Sequence, residues 1–252
     1  MKTFPGGLRL RHATGPGKSQ PIRPLPPPPE VVLPMVQHIG VPCIPTVKKG
    51  EAVRRGQLVG TPDPANPRRF VSARIHASVS GRVTAVEPRP YPFGDPVLSV
   101  VIANDGEDAW AEGVPTATDP HSLDSAAIRE RVQAAGIVGM GGAAFPTHVK
   151  LSPPPGKPVD TVILNGAECD PYLTCDHRLM LEWPAEVIEG AELLARAVGA
   201  KHIWIGTEAD KLDAAEALRQ AARATDVRIE VCEVRYPQGA EKHLILALTG
   251  RT

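Results

Sequence analysis

The chain has 252 residues, with 28 Lys and Arg against 28 Asp and Glu, 28 Pro, 23 Gly, four Cys and few aromatics. That length can bury a core without disulfide staples, and zero net charge lacks the basic footprint that drives binding to phosphate backbones, so no nucleic-acid partner is expected. Apolar runs such as Thr161 to Leu164 stay far short of the roughly 20 residues of a membrane helix, and the Pro- and Gly-broken N-terminus is not read as a signal peptide.

Residues 1–30 carry Gly6-Gly7, Gly15-Pro16-Gly17 and the run Pro26 to Pro29, which favours polyproline geometry and predicts an extended Pro-rich arm. From 31 to 104, short β-branched runs alternate with Gly and Pro turns, the pattern of a small all-β unit. Val47 to Gly60 turns every few residues and is expected to point Val53 and Leu58 inward; Ile75 to Val83 repeats strand, glycine turn, strand. This pair of halves resembles the barrel-sandwich hybrid fold of biotinyl and lipoyl carrier domains. A carrier needs a lysine between the halves for its swinging arm. Leu58 to Ile75 hold Arg68, Arg69 and Arg74 but no Lys, so docking or scaffolding is expected of this unit instead.

Residues 105–121 read as a polar linker, and at 122 the period changes. Ser122 to Ser125 offer N-caps, and Ile128, Val132 and Ala135 recur at helical spacing before Gly136. Strands are predicted over 159–164, 201–205 and 227–234, and helices over 184–198, 211–222 and 240–248. That βαβαβα order predicts a parallel sheet covered by helices over 122–252. The whole is expected to be an α+β two-domain chain, all-β first and α/β second. The cysteines at 43, 169, 175 and 232 form no CxxC pair and are expected to be free thiols. The eight His lack metal spacing, so no metal site is predicted; His38 and His76 read as structural, and His148 lies near the loop of greatest interest.

That loop is Gly136 to Lys150, with Gly136, Gly139, Gly141 and Gly142 ahead of a lysine. Clustered glycines let backbone amides approach an anion. Gly139-x-Gly141-x-x-Ala144 fits a loose dinucleotide fingerprint, but it follows a helix and runs into Phe145-Pro146, which argues against an ordinary Rossmann turn. A second group, Asn165-Gly166-Ala167-Glu168-Cys169-Asp170-Pro171-Tyr172, follows the first parallel strand, where ligands of α/β sheets collect. A third, Tyr236-Pro237-Gln238-Gly239-Ala240-Glu241-Lys242, follows the last strand and opens a helix whose N-terminus suits an anion or a polar ring edge.

Taken in order, these three motifs resemble the RnfC family, a component of the Rnf ion-translocating electron-transport complex, and, more distantly, the flavin-carrying NADH-oxidising subunit of respiratory complex I. The resemblance extends to the Val47–Gly60 and His76–Val83 β unit. It implies a peripheral subunit on the cytoplasmic face of the inner membrane, touching the membrane only through other Rnf membrane and ferredoxin-like subunits. It implies hydride transfer from NADH to non-covalent FMN, then single electrons to iron-sulfur clusters. By position, Gly139, Gly141 and Gly142 would bring amides to the flavin, Lys150 would hold charge near its phosphate or ring, and Phe145 would stack on the NADH adenine. Asn165 and Glu168 would meet the isoalloxazine and nicotinamide side, Asp170 would contact NADH, and Gly239, Ala240 and Glu241 would close over both. Two positions depart from the pattern: Ala144 where Gly is common, and Asp170 where Glu is usual. Family members continue past Leu248-Thr249-Gly250 with cluster-binding cysteine motifs. The chain is therefore expected to be a truncated N-terminal portion with no four-iron four-sulfur cluster of its own. The alternatives are a redox-inactive scaffold, or the flavin-carrying protein of a related cobalamin-reducing or sodium-pumping system.

Overall fold

The computed structural model describes residues 1–10, 16–114, 119–140, 142 and 144–251, with the side chains of 16 and 121 left aside. Gly141 and residues 115–118 of the expected linker lie outside these. The chain divides into two compact units: residues 25–154, and residues 155–252 together with 1–24. The grouping therefore changes later in the chain than the expected linker, and it draws the first 24 residues to the C-terminal unit.

In the unit of residues 25–154, the strands are β1 (Glu30–Pro34), β2 (Cys43–Pro45), β3 (Ala52–Val53), β4 (Leu58–Pro62), β5 (Ile75–His76), β6 (Gly81–Tyr91) and β7 (Gly94–Asn104). They form two antiparallel sheets, β1-β7-β6-β3 and β2-β4-β5. Met35, Val53, Val59, Ile75, Val83, Val100 and Ile102 fill the core between them. Strand residues alternate faces, so a shift of one residue exchanges core for surface. That happens in β4: its pairing with β5 slips between Leu58 and Gly60, and Val59 rather than Leu58 is buried. His38 has the expected structural role. The Ala73 amide donates to its Nε2 at 3.0 Å, which leaves Nδ1 protonated and facing Ile39 O at 3.1 Å.

Residues 105–111 pair with this β unit. The Ser80 hydroxyl donates to Asp105 at 2.7 Å, and Arg55 exchanges backbone bonds with Ala109 and Ala111, both at 2.9 Å. Helix α1 (Ser125–Ala134) starts where the capping residues predict, with the Asp124 carboxylate accepting from Ala127 N at 2.8 Å. A short helix α2 (Thr147–Lys150) ends the glycine loop.

The second unit is built on the parallel strands β8 (Thr161–Gly166), β9 (His202–Glu208) and β10 (Val227–Cys232), in the order β10-β9-β8. Its helices are α3 (Cys175–Glu182), α4 (Pro184–Val198), α5 (Leu212–Ala221) and α6 (Glu241–Thr249). Leu164, Ile203, Ile205, Val227 and Ile229 pack with Met180, Ile188 and Leu218 from α3, α4 and α5. The alternate residues Ile163, Trp204 and Cys232 pack with Leu244, Ala247 and Leu248 of α6. The period of two thus gives the sheet three helices on one face and one on the other. Helix α4 matches its expected span because Pro184 starts it and Gly199 stops it with φ 71°. Among the described residues no helix is long and apolar enough to cross a membrane.

Candidate functional site

The carboxyl ends of β8, β9 and β10 bring together the loops that follow them. Asn165, at the end of β8, is exposed and donates from Nδ2 to Gly239 O at 2.6 Å, while its Oδ1 accepts from Ala167 N at 3.3 Å. The Gly239 amide donates to Cys169 Sγ at 3.1 Å. Loops of the second and third motifs are therefore tied together. Ala240 is the N-cap of α6 and exposed Glu241 its first residue, so a carboxylate stands in the positive first turn. Asp170 is exposed, and neighbouring Tyr172 is 73% exposed with φ 70°.

Glu168 is only 9% exposed and has φ 48°. Its carboxylate accepts from the amides of Asp176 at 2.8 Å and His177 at 3.2 Å, and from the Cys175 thiol at 3.4 Å. The side chain thus caps the N-terminus of α3, a helix that the apolar spacing does not predict. Asp176 beside it is pushed above the usual carboxylate range by burial first and then by Glu168.

The structure adds Glu208, Lys211 and Gln238 to this region. Glu208, at the end of β9, is fully buried; its Oε1 accepts from Arg235 N at 3.0 Å and its Oε2 lies 3.7 Å from Lys211 Nζ. Burial pushes its carboxyl up to about 7, while Arg235 and Lys211 pull the other way. Buried Lys211 also donates to Asp210 at 2.9 Å and to Glu168 O at 3.4 Å. Gln238 is fully buried, and neither of its amide atoms has a protein partner among the described residues. Buried amides are normally hydrogen-bonded. Glu208 falls in the gap between an expected strand ending at 205 and a helix beginning at 211, and Lys211 is the first residue of that expected helix. An acid just past a parallel strand was the available signal.

The glycine loop belongs to the other unit and folds back on itself. Gly139 N donates to Phe145 O at 2.9 Å and Thr147 N to Ile137 O at 3.0 Å, making a hairpin. Met140, near its tip, is 90% exposed. Gly142 has φ 149°, which favours glycine, yet a Cβ there would meet nothing within 4 Å. Among the described residues its surroundings are open, which leaves room for close approach to the backbone. Ala144 holds φ 48°, the left-handed region, where a glycine would be unstrained. Exposed Lys150 places Nζ 5.8 Å from the centre of the Phe145 ring, a cation beside an aromatic face. His148 is buried with Nε2 2.8 Å from Phe70 O and serves the packing of this unit.

Taken separately, one unit offers an open Gly142 and a cation beside an aromatic ring, and the other an amide and carboxylates at its strand ends, groups of the kind that meet anions and polar ring edges. An antiparallel two-sheet unit and a parallel-sheet α/β unit give the architecture, and comparison with known proteins gives the class to which it belongs. Residues 2–107 match the model of the RnfC barrel sandwich hybrid domain, and residues 132–252 match that of the Nuo51 FMN-binding domain. The chain is 48% identical over 251 residues to the C component of the Na+-translocating ferredoxin:NAD+ oxidoreductase complex of Acetobacterium woodii, covering 99% of this chain and 55% of that protein. It is 43% identical to the corresponding component of the proton-translocating ferredoxin:NAD+ oxidoreductase complex of Clostridium ljungdahlii, over 100% of this chain and 54% of that protein. It is 40% identical to that of the ion-translocating oxidoreductase complex of Pseudomonas aeruginosa, over 100% of this chain and 32% of that protein. The chain belongs to the RnfC family. It spans about half the length of the first two relatives and a third of the other.

Proposed function

We propose that this chain is the FMN- and NADH-binding part of an Rnf-type electron-transport subunit, an oxidoreductase component of an ion-translocating complex. The observation that carries the reading is the tying of the second motif to the third at the strand carboxyl ends, Asn165 Nδ2 to Gly239 O at 2.6 Å. On this reading Gly139, Gly141 and Gly142 admit the flavin to backbone, and Lys150 supplies charge for its phosphate or ring. Phe145 stacks on the adenine of NADH, and Asn165 and Glu168 orient the flavin and nicotinamide edges. Asp170 accepts a hydrogen bond from the dinucleotide, while Gly239, Ala240 and Glu241 close over both ligands. Bound FMN supplies the exchange of a hydride for single electrons; the chain's own residues bind, orient and shield. Iron-sulfur clusters outside this chain receive the electrons, and partner subunits hold it at the cytoplasmic face of the inner membrane.

A second reading, a scaffold that binds neither ligand, draws on two engaged groups: the Gly139 amide is taken by Phe145 O, and the Glu168 carboxylate by α3. An FMN titration of the chain, followed by flavin fluorescence and then by bleaching on addition of NADH, separates the two. Saturable binding with bleaching is expected. Binding without bleaching would keep the flavin site and remove the NADH contacts, Asp170 first; no binding would favour the scaffold.

A further inference from the structure

The first residues of the chain, expected to be an extended arm, meet segments that follow each of the three parallel strands. Lys2 extends the sheet beside β10: its amide donates to Val231 O at 3.2 Å, and Glu233 N donates to Lys2 O at 2.9 Å. Leu8 and Tyr236 then exchange both backbone bonds at 2.8 Å, and the Arg235 guanidinium donates to Gly6 O at 2.7 Å. Further on, Lys18 Nζ donates to Asp210 O at 2.6 Å, after β9. The Ile22 amide donates to the Glu182 carboxylate at 3.0 Å on α3, after β8.

Between the two backbone contacts lies an anchor. Phe4 is 2% exposed and stacks on His243 with ring centres 4.2 Å apart and planes 4° from parallel. His243 Nδ1 in turn lies 3.1 Å from Pro237 O, inside the third motif. Gly7, with φ 79°, lets the segment turn over that ring; a Cβ there would stand 2.6 Å from the tip of Phe4 and 2.9 Å from Tyr236 O.

We infer that residues 2–8 are a positioning strap for the flavin-facing loop at 235–241, with Phe4 as its anchor through His243. This rests on the flavin reading above. Paired backbone gives the strap direction and register, as in strand addition to a sheet edge, and the buried aromatic fixes it in place. A loop carrying Gly239 and a fully buried Gln238 is thereby held on one side by Asn165 and Cys169 and on the other by the strap.

The test compares wild-type chain, Phe4→Ala and Gly7→Ala by hydrogen exchange with mass spectrometry and by FMN titration. Both variants are expected to exchange about tenfold faster at 233–239, with β8 and β9 protected as in wild type. Their FMN affinity is expected to fall about tenfold, and Phe4→Leu, which refills the volume without the stack, is expected to recover it only in part. Unchanged exchange at 233–239 in both variants would overturn the strap, and so would equal loss of protection across the whole unit. Faster exchange with FMN affinity equal to wild type would overturn its positioning role. If wild type itself binds no FMN, the flavin reading fails for this chain, and with it the ligand part of the inference, while the exchange data still decide whether the strap holds the loop.

Discussion

The backbone amide of Gly239 donates to the thiol sulfur of Cys169 at 3.1 Å, so a cysteine in the first strand-end loop seats a glycine in the last. With Asn165 bonded to the carbonyl of the same residue, Gly239 is held at both its amide and its carbonyl. The thiol serves as an acceptor and stays protonated: burial raises its pKa, the bond from the Gly239 amide works against that, and Glu208 and Asp170 add to the rise. Cys169 is therefore a structural residue of the loop.

A methyl group at position 239 would stand 3.0 Å from Cys169 Sγ and 3.8 Å from Ala167 Cβ. Gly239→Ala is expected to destabilise by about 1 to 3 kcal/mol, the range for overpacking. Cys169→Ala clears the sulfur, so the double variant should lose less than the two single changes together. Urea denaturation of the four proteins measures the coupling, and strict additivity would show that the two residues act independently.

Glu208 predicts a pH dependence of stability. Its native carboxyl, at about 7, lies above the ordinary 4.5, so between those values the native state holds a proton that the unfolded chain has lost. The sign follows: the contribution is complete below about pH 4.5 and is lost as pH rises through about 7. At about 1.4 kcal/mol per unit, the loss is of order 3 kcal/mol. Glu208→Gln keeps an acceptor for the Arg235 amide, and it should flatten this fall and raise stability at pH 8. Thermal unfolding from pH 5 to 8 reads it, and parallel curves for the two proteins would contradict the assignment.

The cap on α3 gives a graded prediction. Glu168→Ala removes the acceptor of two helix-terminal amides and should destabilise by about 1 to 2 kcal/mol, whereas Glu168→Gln, retaining one oxygen, should lose less. If flavin affinity follows the same order as stability, Glu168 acts on the ligand through α3. A drop in affinity for Gln with unchanged stability would show direct contact.

Lys150→Ala removes the cation beside Phe145. A charge-assisted contact to the flavin phosphate is worth about 1.5 to 3 kcal/mol, and FMN affinity should fall by that amount in a fluorescence titration. Equal affinity in variant and wild type would take the glycine loop out of the flavin site.

Much of the architecture was legible because punctuation and period agreed. Pro184 and Gly199 bracket α4, and alternating apolar residues mark the three parallel strands. Helix α3 was not, since Cys175-Asp176-His177-Arg178 lacks an apolar stripe and the cap comes from Glu168, seven residues before the helix starts. Spacing places Leu58 inward, but the slip in pairing before Gly60 gives the core Val59, and register slips leave no mark in a single chain. The strap was hidden for another reason: its partners lie more than 220 residues away, beyond any local pattern. The site loops were visible from their residue types, while the buried Glu208–Lys211 pair and Gln238 required the three strand ends to be brought together.

The strap also sets an order of events during synthesis. Residues 2–8 leave the ribosome long before their backbone partners at 231–236, with the whole of residues 25–154 made in between. Domains fold as they emerge, and contacts of great sequence separation form slowly. The β unit can therefore close while residues 2–8 still wait, and the strap is seated only after the third parallel strand and the loop behind it have emerged.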